Sequence, residues 1–84
     1  MAQSEGELFG SRLRLLREER GESQRSLAKL TGSSHAYISQ MERGLKVPTL
    51  TMIIRLAVAL ECEVWDLVSV FAGRDLQKIV RGRK

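Results

Sequence analysis

Apolar residues recur at helical spacing along the first half of the chain, in segments bounded by capping residues and glycines. Residues 7–20 (ELFGSRLRLLREER) are predicted to form a first helix, which Gly21 ends. Ser23 is a suitable N-cap for a second helix, SQRSLAKLT, which Gly32 ends. The next stretch, GSSHAYISQMERG, predicts a third helix, capped by Ser33 or Ser34 and ended by its last glycine.

The second half continues the same pattern. Thr49 caps a fourth predicted helix, LTMIIRLAVAL, and a fifth, VWDLVSVFA, begins near Glu63 and stops at Gly73. No stretch shows the alternation of a strand. We therefore predict an all-α compact bundle of about five helices over residues 1–73, with a basic tail at 74–84 that forms at most a short helix of one or two turns.

The fourth and fifth helices are too apolar for a small lone domain, and a helix that is apolar nearly all round is usually buried all round. A second copy of the chain is the first candidate to cover them, because soluble oligomers are mostly symmetric. The predicted dimer interface comprises Trp65, Val68, Val70, Phe71 and Leu76. The alternative is a crowded monomer core with Trp65 half exposed.

Charge is unevenly distributed. The net charge of the 84 residues is +4, and all of this excess positive charge lies in the basic tail. Three roles of the tail stay open: a solubilising end, a clamp on DNA phosphates, or a segment that wraps around a second subunit. Between Gln24 and Leu60, five basic residues face one acidic residue, Glu42. A basic middle within a neutral domain indicates a polyanionic partner.

The third helix has an unusual outer surface. Ile38 and Met41 form a narrow apolar seam. The side chains around this seam are short or flat hydrogen-bonding groups, namely Ser34, His35, Tyr37, Ser39 and Gln40. The turn Thr31–Ser33 places this helix directly after the second one, and small Ala28 permits their close approach. This is the layout of a helix-turn-helix, at about residues 23–43, whose second helix lies in the DNA major groove, where short polar groups read base edges.

Beyond these local patterns, the chain resembles the phage repressor and Cro-like helix-turn-helix family of transcription regulators. The resemblance covers about residues 8–71 and rests on Arg17 together with "SQRSLA", "TGSSHAYISQMERG" and "VPTL". It implies a lambda-repressor-like DNA-binding domain that is usually dimeric and binds a palindromic operator on double-stranded DNA. The basic tail is not part of the shared pattern.

The resemblance also implies roles for individual residues. Base readout falls to Ser34, His35, Ala36 and Gln40, with a phosphate contact as the alternative for His35. Phosphate contacts fall to Gln24, Arg25, Tyr37, Ser39, Arg43 and Lys46, of which Tyr37 and Ser39 could instead reach a base. Arg17 and Glu42 resemble an internal ion pair that ties the first helix to the third.

Other classes of function find little support. The sequence offers no nucleophile–base pair, phosphate loop or metal-ligand spacing, so we expect neither an enzyme nor a bound metal or cofactor. One cysteine, Cys62, excludes an internal disulfide and is read as a small buried hydrophobe. The N-terminus is polar and no apolar run approaches the ~20 residues of a membrane span, so a cytoplasmic location without membrane attachment is expected.

The resulting expectation is a sequence-specific transcriptional regulator that acts as a homodimer and regulates its own gene. Among regulators of this shape, a controller protein of a restriction–modification system is favoured. The alternative is an antitoxin-like or other protein-interaction module built on the same fold. A transcriptional regulator could have RNA polymerase as a protein partner, and an antitoxin-like module would have a toxin.

Overall fold

The computed structural model describes residues 3–81, which form six α-helices and one turn of 3-10 helix with no strand among them. The α-helices are α1 (Glu5–Glu19), α2 (Gln24–Thr31), α3 (His35–Glu42), α4 (Leu50–Leu60), α5 (Val64–Val68) and α6 (Leu76–Arg81), and the 3-10 turn spans Ser69–Phe71. The predicted all-α bundle is therefore confirmed, and the helix anticipated in the tail is present.

Helix α1 begins two residues before its predicted start. Ser4 accepts a hydrogen bond from the backbone N–H of Glu7, and the Glu7 carboxylate accepts one from the backbone N–H of Ser4. This reciprocal capping satisfies two donors that a helix start otherwise leaves unpaired. The same hydrogen bonds, that from the Ser4 backbone first, lower the pKa of the Glu7 carboxyl.

The turn between α2 and α3 is built by local chemistry. Ser23 caps α2 and Ser34 caps α3, so Ser34 rather than Ser33 has the capping role. Ser33 instead pairs with the Thr31 hydroxyl at 2.7 Å. Gly32 adopts φ +70°, a left-handed conformation that glycine reaches without a steric penalty. The chain therefore reverses within three residues and brings α3 across α2.

The core lies where α1, α2, α3 and α4 meet α5. Each helix contributes at least one fully buried side chain: Leu13, Leu27, Ile38, Met41, Leu56, Leu60 and Leu67. Ala28 is also buried in this cluster, as its proposed role in close packing requires. The Cys62 thiol packs at the margin of the core, where burial raises its pKa.

The prediction of one continuous fifth helix was wrong. The α-helix ends at Val68, and a 3-10 turn follows it. The carbonyl of Asp66 would accept from the Val70 N–H if α5 continued. It accepts instead from Arg12 Nε at 2.7 Å and from the Ser69 hydroxyl at 3.3 Å. These side-chain donors compete with the backbone ladder and favour a tighter turn.

The first part of the basic tail is folded against the bundle. Helix α6 buries Ile79, which lines the same crevice as Leu8 of α1. Leu76 and Val80 of α6 stay exposed. The predicted tail also includes residues 82–84, which lie outside the described residues.

Two glycines inside α1 allow this helix to touch the backbone at the end of α3. A Cβ at Gly10 would lie 2.2 Å from the Met41 carbonyl oxygen, and one at Gly6 would lie 2.8 Å from that of Gly44. Both contacts involve backbone atoms, which cannot rotate away as a side chain would. The closeness of α1 to α3 therefore depends on the absence of side chains at these positions.

We expect Gly10→Ala to destabilise the fold, although alanine ordinarily stabilises a helix interior by about 1 kcal/mol relative to glycine. The added methyl must push α1 away from α3, and overpacking of this kind costs about 1–3 kcal/mol. Urea denaturation would measure the free energy of unfolding. Ser11→Ala, at the exposed neighbouring position, is the matched control and should leave it nearly unchanged. A Gly10→Ala variant as stable as the parent would contradict the close approach.

Candidate nucleic-acid interface

Helix α3 divides its eight residues between packing and solvent. Ile38 and Met41 are fully buried, whereas His35 and Ala36 are exposed, as is the capping residue Ser34. Ser39 and Gln40 are half-buried along the border. The four residues predicted to read bases therefore lie on the part of α3 that the fold leaves uncovered or partly covered.

Arg17 and Glu42 are joined in the interior. Arg17 Nε donates to Glu42 Oε2 at 2.6 Å, and Arg17 Nη2 donates to Oε1 at 3.0 Å. Only 11% of the Arg17 side chain and 3% of the Glu42 side chain are exposed. These hydrogen bonds raise the pKa of the Arg17 guanidinium. The bidentate geometry fixes the end of α3 against α1.

Arg17 and Gln24 extend this contact to α2. Arg17 Nη1 donates to the Glu22 carbonyl at 2.7 Å, just before α2 begins. Gln24 Nε2 donates to Glu42 Oε1 at 2.9 Å, and Gln24 Oε1 lies 3.0 Å from His35 Nε2. The Gln24 side chain, predicted to contact phosphate, is thus engaged within the protein at both ends of its amide.

An open cleft of about 640 Å³ lies beside this network, between the start of α2 and the outer side of α3. Its lining is dominated by cationic and hydrogen-bonding side chains: Arg14, Arg17, Ser23, Gln24, Arg25, His35, Ser39, Glu42 and Arg43. The N-terminus of α2 opens into it, and such a terminus favours anions. Because Glu42 is already bound to Arg17 and Gln24, the accessible charge of the cleft is positive.

Arg14 is a residue of this cleft that the sequence reading missed. In the sequence, Arg12, Arg14 and Arg20 show the same pattern, that of a solvated face of the first helix. The structure separates them: Arg12 bonds the α5 backbone, Arg20 lies 2.6 Å from Glu61, and Arg14 lines the cleft while pairing with Glu18 at 3.3 Å. Only the position of α1 relative to α2 could have distinguished Arg14 from its neighbours.

The other predicted phosphate contacts occupy different settings. Arg25, Arg43 and Lys46 are exposed, Lys46 in the loop after α3. Tyr37 is half-buried, with its ring packed against the core.

The predicted dimer-interface residues do not form one exposed face. Trp65 is 62% exposed and Leu76 is 57% exposed. Val68 and Phe71, in contrast, pack against the core of the chain itself, and Val70 is half-buried. The apolar surplus of the fourth helix remains visible as the exposed residues Leu50, Ile54 and Val58.

Within residues 3–81, no three or more His, Cys, Asp or Glu side chains are grouped so that they could hold a metal ion. No helix in the described part of the chain has the length and hydropathy needed to cross a membrane.

Comparison with known proteins agrees with this geometry. A family profile described as a helix-turn-helix domain matches residues 8–66. The transcriptional regulator DicA from Escherichia coli is 42% identical over 70 residues, which are 82% of this chain and 50% of DicA. The chain therefore belongs to the helix-turn-helix family of DNA-binding transcription regulators. It spans only 14% to 50% of the length of most curated relatives that it matches.

Two solved structures are similar over most of the chain. The restriction-modification controller protein C.AhdI from Aeromonas hydrophila shares 42% identity at a TM-score of 0.72, covering 74% of this chain and 94% of that one. The clp gene regulator ClgR from Corynebacterium glutamicum shares 32% identity at a TM-score of 0.75, covering 81% and 88%. Both comparisons place the chain among regulators of the predicted fold.

We expect Glu42→Met to lower the free energy of unfolding by about 3 kcal/mol, because it leaves the buried Arg17 cation without its counter-charge. Arg17→Met should be similarly costly, and the double variant should lose less than the sum of the two. Denaturant titrations of the four proteins would give the coupling energy.

Arg14→Met is the matched control for that cycle. Its partner Glu18 is 53% exposed on the same helix, and an exposed pair of this kind contributes about 0.3–0.5 kcal/mol. Equal losses for Arg14→Met and Glu42→Met would contradict the special role of the buried pair.

Proposed function

We propose that this protein binds a palindromic DNA operator as a homodimer and regulates transcription from its own promoter. The observation that carries the proposal is the basic cleft at the start of α2, next to the outer side of α3. Phosphate contacts at the cleft would set the register of α3 in the major groove, and the exposed side chains of α3 would read the bases.

The proposed division of labour follows from where the residues lie. Ser34, His35, Ala36 and Gln40 are the proposed readers, and Ala36 can only contact a thymine methyl group. Arg25, Arg43, Lys46 and Ser39 are proposed for phosphate, now with Arg14, while Tyr37 stays a secondary candidate. The Gln24 side chain is engaged by Glu42 and His35. The proposed phosphate contact at Gln24 therefore uses the backbone of the first turn of α2.

Dimer formation is supported by large apolar side chains that the protomer leaves exposed. Trp65 and Leu76 belong to the predicted interface, and an exposed tryptophan of this size is a common anchor of protein contacts. Val68, Val70 and Phe71 would then support the interface from beneath. Two-fold symmetry of the dimer would match two operator half-sites about 34 Å apart, one turn of DNA.

The same exposed apolar surface favours a second candidate function. An antitoxin-like module would use the exposed faces of α4 and α6 to bind a toxin or another protein, and DNA binding would be secondary. The mass of the pure chain in solution distinguishes the two. A dimer at micromolar concentration supports the first, and a monomer that gains mass only with a foreign protein supports the second.

The experiment that tests the proposal is an anisotropy titration with the DNA directly upstream of the protein's own reading frame. Similarity to the controller protein C.AhdI is the reason to begin with this DNA. Random DNA serves as competitor at about 150 mM salt, because non-specific affinity falls steeply with salt. Tight binding that survives the competitor, with a footprint of two half-sites, would support the proposal. Binding abolished by the competitor would refute it for this DNA.

Gln40→Ala should cost about 1–3 kcal/mol of binding to the selected operator and relax discrimination at one base pair. An alanine methyl cannot replace the bidentate hydrogen bonding of an amide with a base edge. Selection from a randomised operator library would measure the preference at every position. Unchanged preferences would remove Gln40 from the proposed readers.

Arg43→Ala should weaken binding to all DNA sequences alike and lower the slope of affinity against salt by about 1. The physical reason is the loss of one released counterion per phosphate contact. Arg55→Ala is the matched control, since Arg55 is an exposed arginine of α4 outside the cleft. A loss confined to one sequence, or an equal change for both variants, would contradict the phosphate role.

A further inference from the structure

Helix α6 carries more apolar surface than the rest of its own chain covers. Ile79 is buried against α1, whereas Leu76 and Val80 are exposed. These two residues lie one helical turn apart, so they are neighbours on one side of the helix. Together with Gln77 and Arg81 they line an open groove of about 380 Å³. We call these four lining residues the α6 groove. It is apolar at its centre and cationic at its border.

A second exposed surface lies at the start of α5. Val64 and Trp65 are exposed there, and the exposed Glu63 precedes them. Glu63 forms no ion pair in the part of the chain that the structure describes, while the nearby Glu61 is held by Arg20. We call Glu63, Val64 and Trp65 the acidic edge. Its negative charge would repel a polyanion such as DNA, so a protein is the better partner for its exposed indole.

The charges of the two surfaces determine how two copies of the chain can meet. Helix α6 carries Lys78 and Arg81 and no acidic residue, so two α6 grooves in contact would bring cations together. Two acidic edges in contact would bring the Glu63 carboxylates together. Juxtaposed like charges cost affinity, whereas opposite charges favour the pairing and fix its register. The α6 groove of one copy therefore complements the acidic edge of another, with apolar side chains in the middle and opposite charges at the border.

We propose that α6 of each subunit in the homodimer packs on the acidic edge of the other, so that Leu76 and Val80 cover the partner's Trp65. Arg81 then lies beside the partner's Glu63. This inference rests on the proposed function, which requires a homodimer. Two-fold symmetry forms the contact twice, so each chain supplies both halves of the interface. A buried indole in the middle of such a contact is a frequent anchor of protein interfaces.

Two features of the chain suit this arrangement. Only residues 66–75 separate Trp65 from Leu76, so the groove and the edge lie close enough to share one interface of ordinary size, about 800 Å² per subunit. The groove also stays open because α6 is anchored on its other side, through Ile79. Helix α6 follows the residues that match the helix-turn-helix profile, so the contact does not follow from the shared fold.

Charge reversal tests whether the contact forms between subunits. Glu63→Lys would place two cations at each contact, and Arg81→Glu would place two carboxylates there. Each variant alone should dimerise about 5- to 30-fold more weakly than the parent chain. An equal mixture of the two should regain nearly the parent affinity, because one contact then keeps the native pair and the other joins the two introduced charges. Analytical ultracentrifugation over a concentration series would measure the dissociation constants of the dimers.

The matched controls reverse charge elsewhere on the surface. Glu19→Lys on α1 and Arg55→Glu on α4 change exposed residues outside the groove and the edge, and they should leave dimerisation unchanged. Glu63 is also the N-cap of α5, so urea denaturation accompanies each titration to show that the variant is folded. A fluorescence measurement that leaves Glu63 unchanged makes the test independent of this cap.

Trp65 is the one tryptophan of the chain, so its fluorescence reports on the acidic edge alone. We expect its emission to shift to shorter wavelength as the parent chain dimerises, because the indole leaves water. Leu76→Ser combined with Val80→Ser should abolish this shift. Both side chains are exposed within their own chain, so the fold should persist. Leu30→Ser, at an exposed leucine of α2, is the matched control and should shift as the parent does.

Three results would overturn the inference and leave the proposed function intact. They are equal dimerisation of the parent and both charge-reversal variants, a mixture that dimerises no better than its components, and an emission that does not change as the dimer forms. The parent would then dimerise and bind its operator through another surface. A parent chain that stays monomeric at micromolar concentration would instead contradict the homodimer of the proposed function, and this contact with it. An emission shift that requires a foreign protein would assign the acidic edge to that protein and overturn the contact between copies.

Discussion

The buried pair of Arg17 and Glu42 is the interaction on which the rest of the site depends. A charge removed from water is costly unless it is paired and its remaining hydrogen-bond capacity is used. Arg17 donates to both Glu42 oxygens and to the backbone before α2, and Glu42 also accepts from Gln24. Because these groups come from α1, α2 and α3, satisfying them requires one relative arrangement of the three helices. The direction of the outer side of α3 follows from that arrangement.

Helix α3 can present polar groups to solvent because other elements supply its stability. Eight residues form too few turns for an isolated helix to be stable in water. Ile38 and Met41 anchor its inner face in the core, Ser34 caps its start, and its end lies against Gly10 of α1. None of these contacts uses His35 or Ala36. Within two turns of α3, one set of residues packs against the core and another set is left exposed. This separation makes the short helix suitable for recognition of DNA.

Local chemistry explains which features could be predicted from the sequence. The bounds of α2, α3 and α4 depend on Ser23, Ser34 and Thr49 and on the residues that follow each helix, so the pattern indicates them directly. The end of α5 depends on Arg12, which is 54 residues away from its partner Asp66. The roles of Gly10 and Gln24 likewise depend on partners brought close only by the fold. Such long-range contacts leave no periodic signal in the sequence.

The position of each cation matters more here than the net charge. Arg12 of α1 bonds a backbone carbonyl, Arg17 of α1 is bound to Glu42, and Arg20, just after α1, is paired with Glu61, so these three arginines are engaged within the fold. Within residues 3–81, Arg25, Arg43 and Lys46 form no ion pair, and all three belong to the helix-turn-helix or the loop after it. A domain whose charges balance overall can thus still attract a polyanion, because its internal pairs leave several unpaired cations on the helix-turn-helix and the loop after it.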